Sequence, residues 1–331
     1  MKNVPRATID EDVIDSLAAA LSRLRYGPRV DTSMMGPPLG PVAAQLEQRA
    51  ERVVRRVMNY VPEKKRRHPH IFFCEDEQYG AFALRDKYDY IVLKVGLVLR
   101  LTHFCERMMS SPGLWPDVRD CAARNALAVV FMSECFDLVV RHELAHLVLG
   151  HVDPDGIAAR RDPIAAQTLE LVADDHAASW GLENLTRVPE MIGSLPAGIN
   201  GGYREFHRTP EDAMLNYLLV IYFVFRMMDE APWDSDTLAR RSHSPASMRF
   251  HAACIHLNET LKRIGNTEMQ AQFLRARKEV WDRGESTFAK VLDREPDLGL
   301  EDRTMSDECE KLYERMSAQA RILPQHFFGL A

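Results

Sequence analysis

Apolar positions along the chain recur mostly at helical spacing, and the departures are gathered in one short window. Asp10 to Tyr26 (DEDVIDSLAAALSRLRY) sets acids in its first turn and basic residues in its last, as the helix dipole favours, and predicts an N-terminal helix. Gly27 to Pro41 carries three glycines and four prolines, so a surface linker is expected there, in preference to a plug lying in a cleft. Helical spacing resumes over Val42 to Tyr60 and stops before Pro62. The window of departure follows: His70 to Cys74 (HIFFC), Gly80 to Leu84 (GAFAL) and Tyr90 to Leu93 (YIVL) are β-prone runs split by polar residues, which predicts a small sheet of about three strands. Lys94 to Met109 returns to helical spacing, and the proline-rich stretch 111–116 breaks it.

From Asp117 to Leu149 there is no glycine or proline, which permits one long helix or two end to end, stopped by Gly150. After the Asp153-Pro154-Asp155-Gly156 turn, Ile164 to Trp180 predicts a second helix, with Gly181 as its stop. Val188 to Pro210 is rich in glycine and proline and reads equally as a lid or as a plain connecting loop. Ala213 to Met228 is apolar but shorter than the roughly 20 residues that span a bilayer, so a buried core helix is expected. Beyond Ser242-His243-Ser244-Pro245 lie helical patterns at Ala246 to Ile264, Glu268 to Val291 and Glu301 to Ile322. The fold class is mostly α, with one small sheet (α+β).

Composition narrows the function classes. Of 331 residues, 46% are apolar and 27% charged, which excludes a disordered or fibrous chain. The net charge of −6 offers no bulk attraction to nucleic acid or to an anionic membrane, and the basic run Lys64 to Arg67 has no interleaved aromatics, so neither partner is expected. Six cysteines without a C-x-x-C pair read as reduced, mostly buried thiols. The first residues turn acidic at once and show no secretory signal, so a cytoplasmic setting is expected.

Chemistry enters at Arg141 to His151, RHELAHLVLGH. One helical turn separates His142 from His146, so both point the same way and can grip one ion, with Glu143 leaning to the same side. This is H-E-x-x-H: two zinc ligands, and a carboxylate placed to take a proton from the water that zinc activates. A catalytic zinc wants a third protein ligand and one open position. His151 is one candidate, but a metzincin needs glycine and histidine at the third and sixth positions after His146, where Leu149 and Val152 stand. Glu170 is the stronger choice. It lies in E-L-V-A-D with Asp174 one turn on, and a carboxylate beside a ligating imidazole fixes the ring's tautomer. A surface Glu/Asp pair would not be flanked by Leu169, Leu171, Val172, Ala173 and Ala177. Asp175 and His176 read as bystanders.

Four blocks together resemble the gluzincin metallopeptidases of the group that contains the CAAX prenyl protease, the bacterial heat-shock membrane protease and the mitochondrial Oma-type protease. They are Gly80-Ala81-Phe82-Ala83-Leu84 with Tyr90 to Leu93 and Gly96-Leu97; HELAHLVLGH; Glu170 to Asp174; and His243-Ser244-Pro245-Ala246-Ser247-Met248-Arg249. Gly80 stands where that group has asparagine, and Ser244 where it has proline. The likeness covers roughly residues 70 to 255. It implies a zincin-like catalytic domain over 61–260, flanked by a helical extension at 1–60 and another at 261–331 that packs on the core. It further implies one Zn2+ per chain on His142, His146 and Glu170, Glu143 as general base, Asp174 behind the ligands, and His243 or Arg249 near the site as an oxyanion-stabilising cation. The activity implied is peptide hydrolysis on a protein or peptide substrate, with the edge strand at Gly80 to Leu84 pairing with the substrate backbone. Most of that group is membrane-embedded or exported, and this chain carries neither mark. Two other readings stand beside this one: a single-target cytoplasmic zinc peptidase of the phage-exclusion kind, and an inactive zincin-like binding or scaffold module.

Overall fold

A computed structural model describes residues 10–37, 39–111, 115–192, 197–228, 235–238 and 240–328. In chain order the elements are α1 (Glu11–Leu24), β1 (Arg29–Val30), α2 (Leu39–Met58), β2 (His70–Cys74), β3 (Ala81–Arg85), β4 (Asp89–Lys94), α3 (Val95–Met109), α4 (Cys121–Val148), α5 (Pro154–Ala159), α6 (Pro163–Met191), α7 (Ala197–Phe206), α8 (Pro210–Met228), α9 (Ser235–Leu238), α10 (Ala246–Arg263), α11 (Thr267–Leu292), α12 (Leu300–Thr304) and α13 (Asp307–Ile322). The protein is mostly helical, as expected.

The sheet has four strands in the order β1-β2-β4-β3, one more than expected. The extra strand, β1, lies in the stretch assigned to a linker. Its two residues pair antiparallel with the end of β2, Arg29 opposite Cys74 and Val30 opposite Phe73. β2 and β4 run parallel, while β3 pairs antiparallel with β4 and leaves its other side as the sheet edge.

Alternation along these strands sorts their side chains into two layers. Ile71, Phe73, Ile91 and Leu93 enter the main helical core, while Phe72, Cys74, Tyr90 and Val92 meet Val13, Leu17 and Leu21 of α1 on the opposite face. The main core draws on α2, α3, α4, α6, α8, α10 and α11, so the segments before residue 61 and after 260 share it with the middle of the chain. Phe223 packs against Phe104, Phe131 and Phe288 with ring centroids 5.4–5.5 Å apart from each. Truncating such a residue to alanine costs about 3–5 kcal/mol.

The long glycine-free stretch forms one helix, α4, capped by the Asp120 side chain accepting from the Ala122 and Ala123 amides. It is buried on every side from Glu134 to Val148, because α2, α3, α6, α7, α8 and β3 all pack on it. α8 is likewise a core helix, and no helix among the described residues is long and apolar enough to cross a membrane.

Several boundaries moved. α6 does not stop at Gly181 but runs on to Met191. A side chain at 181 would meet the Tyr217 hydroxyl within 2.2 Å, so this glycine serves close helix packing and not termination. Part of Val188 to Pro210, read as lid or loop, is therefore helix: the end of α6 and the whole of α7, while residues 193–196 lie outside the described ones. The pattern at Glu301 to Ile322 is two helices, α12 and α13, parted at Met305-Ser306. The six cysteines are all unpaired, and Cys121 alone is exposed.

Candidate metal centre

α4 and α6 lie side by side and bring His142, His146 and Glu170 into one buried group that can hold a metal ion. Nε2 of His146 is 3.1 Å from Nε2 of His142, which is 3.2 Å from Glu170 Oε2, and Glu170 Oε1 is 3.4 Å from Nε2 of His146. Two ligands at 2.0–2.1 Å from one ion at a tetrahedral angle stand about 3.3 Å apart, so the spacing fits a tetrahedral ion.

Each imidazole is held from behind. Nδ1 of His142 lies 2.9 Å from Asp174 Oδ1, a close contact though not an aligned hydrogen bond. Arg249 clamps Asp174, donating from Nε to Oδ2 and from Nη2 to Oδ1 at 2.7 Å each. The support behind His146 is a histidine. Gly150, at φ +78°, ends α4 in the left-handed region and turns the chain back, so that Nδ1 of His151 comes 2.9 Å from Nδ1 of His146. Nε2 of the fully buried His151 is 2.9 Å from the carbonyl of Phe327, in the turn after α13.

That carbonyl can only accept, so Nε2 of His151 carries a proton. Burial holds the His151 imidazole neutral, pushed down to about 3, which leaves its Nδ1 as an acceptor toward Nδ1 of His146. The Arg160 guanidinium, 3.0 Å from that same Nδ1, can only donate and competes for it, whereas ligation through Nε2 needs the proton on Nδ1, given to His151.

Electrostatics agree with a cation-binding pocket. Burial opposes charge on Glu170, but His146, His243 and Arg160 outweigh it and hold the carboxylate well below its ordinary value. Burial likewise opposes charge on His142, yet the carboxylates of Asp174 and Glu170 against its two nitrogens prevail and raise it to about 10. Burial pushes His146 well below its ordinary value.

Glu143 is buried beside the cluster. Burial raises its carboxyl above the usual range, against His142 and against the Ala83 amide that donates to it from β3. The edge strand is thus fastened to the motif helix at Glu143. It is fastened again at its far end, where Arg85 pairs with Asp153 and donates to the Leu147 carbonyl.

His243 and Arg249 sit differently. His243 is exposed, with Nε2 3.4 Å from Glu170 Oε2. Arg249 is buried, committed to Asp174 and seated over the Phe225 ring at 4.6 Å, so it holds the site from behind and does not face a substrate. Asp175 pairs with His256, and the His176 ring lies 5.6 Å from Trp180, both as bystanders.

Two residues of the site carried no sequence signal. Arg160, just past α5, donates from Nη1 to Glu170 at 2.7 Å, and its other nitrogen lies 3.0 Å from Nδ1 of His146. Phe327 supplies its carbonyl and a ring set edge-on to His151 at 5.6 Å between centroids. His151 was visible as a histidine after the helix, but its return onto His146 depends on the turn at Gly150. Comparison of the chain with protein-family models, with curated proteins and with solved structures gives no match.

Proposed function

We propose that the chain is a zinc-dependent endopeptidase acting on a protein or peptide substrate. The observation that carries this is the conjunction of the buried His142-His146-Glu170 triangle with Glu143 on the same helix and an edge strand bonded to it. Two imidazoles and a carboxylate, leaving a fourth position open, make up a donor set that catalytic zinc takes. When bound, zinc supplies an acidified water and polarises a carbonyl.

The chain's own residues do the rest. Burial lifts the proton affinity of the Glu143 carboxylate toward the working range of a general base, so it can take a proton from the attacking water and pass it to the departing amine. β3 offers backbone groups along the sheet edge to an extended peptide. His243, exposed beside Glu170, is placed to donate to a developing oxyanion.

The test is a comparison of cellular N-termini with the parent chain and with Glu143→Gln. Expected are new termini with the parent only, and about one zinc per chain in both. A metal-free protein of normal stability that generates no termini would replace this reading with an inactive scaffold.

A further inference from the structure

A second feature of α4 lies one residue before the motif. Arg141 is 1% exposed, and neither its Nε nor its Nη2 has a hydrogen-bond partner among the described residues. Unpaired N–H groups on a buried guanidinium are costly for a fold to hold. This one lines a small cavity, together with Val53, Arg56 and Val57 of α2, Tyr60, and Trp180 of α6, with room for about one water-sized occupant.

The carboxylate that acts on Arg141 is Asp137, one turn back on α4. It is already engaged: Arg49 bonds both of its oxygens and reaches Glu134 as well. Burial and then the charge of Arg49 pull the Arg52 guanidinium, also on α2, below its ordinary value.

We propose that this cavity is a binding site for a small monovalent anion of chloride size, held by Arg141 from within and by Arg56 at the mouth. A water would fill the space and leave the charge; a phosphate exceeds the space. The anion joins α2 to α4 and α6, the two helices that carry the metal-binding side chains, so its occupancy stiffens the pair. Nothing in this depends on the peptidase reading.

Thermal unfolding of the full chain at constant pH and ionic strength tests it, with sodium gluconate replaced stepwise by sodium chloride. The melting temperature should rise with the logarithm of chloride once chloride exceeds the dissociation constant, by about 2–3 °C at ten times that constant. Arg141→Met should abolish the response, and Arg56→Gln, at an exposed position, should shift its onset to at least severalfold higher chloride. Should Arg141→Met fail to fold, the Arg56→Gln onset decides. Equal melting in gluconate and chloride, or a response unchanged in the variants, overturns the site. Crystals grown in bromide should show an anomalous peak between Arg141 and Trp180, and its absence at full occupancy elsewhere counts against the proposal.

Discussion

Asp174 stands 2.9 Å from Nδ1 of His142 with both of its own oxygens already bonded by Arg249. The carboxylate is therefore fixed before any metal arrives, and it fixes the ring. Asp174→Asn keeps the shape and loses the charge, and should lower zinc affinity by about 10–100-fold, measured by competition with a chromogenic chelator. Asp174→Ala removes the carboxylate that the buried Arg249 clamps and should cost about 3–5 kcal/mol in urea unfolding. Equal zinc affinity in parent and Asp174→Asn would remove Asp174 from the site's support.

Without metal, His142 holds its proton up to about 10, whereas a ligating imidazole must be neutral. Zinc binding at pH 7.5 should then release about one proton. Calorimetry in buffers of differing ionisation enthalpy reads this directly as the slope of apparent enthalpy. A slope of zero would mean that His142 is neutral in the metal-free protein.

Glu143 gives a pH dependence of known sign. Burial raises its folded carboxyl above the unfolded value of 4.5, so the folded state is favoured by protonation and loses stability as pH rises past that value. Glu143→Gln should accordingly raise the melting temperature of metal-free protein at pH 7–8, with the gain vanishing below about pH 4.5. Glu170 and Asp174 have the opposite sign. Their folded values lie below the ordinary ones, so the stability they contribute is full above those values and is lost as pH falls.

Gly150→Ala places a side chain at φ +78° with its Cβ 2.9 Å from the Asp153 carboxylate. The left-handed conformation alone costs about 1–2 kcal/mol. Because the same turn carries His151 onto His146, zinc affinity should fall along with stability. Gly265, also at positive φ but with open space around it, is the control: Gly265→Ala should lose stability and leave zinc affinity unchanged.

Legibility in the sequence followed the range of the forces involved. β2 and the start of α10 fall where the pattern put them, because β-prone runs and helical spacing are local. The donor triangle was legible because i, i+4 spacing on α4 and on α6 is geometry that a sequence states outright. β1 was missed because two residues show no periodicity, and its pairing with β2 is nonlocal. Gly181 misled because a glycine reads as a stop unless the Tyr217 side chain pressed against it is known. Arg160 and Phe327 could not be found at all: one sits in an ordinary turn and the other contributes a carbonyl that any residue possesses.

The bond from His151 to the Phe327 carbonyl spans 176 positions of chain. On the ribosome, His142, His146 and Glu170 emerge long before the residue that completes the support of His146. The nascent protein therefore carries an unfinished metal pocket until the Phe327 turn is made. Maturation of the centre is coupled to the arrival of that turn, and a chain cut ahead of Phe327 would keep every donor while losing the carbonyl that holds His151 behind one of them.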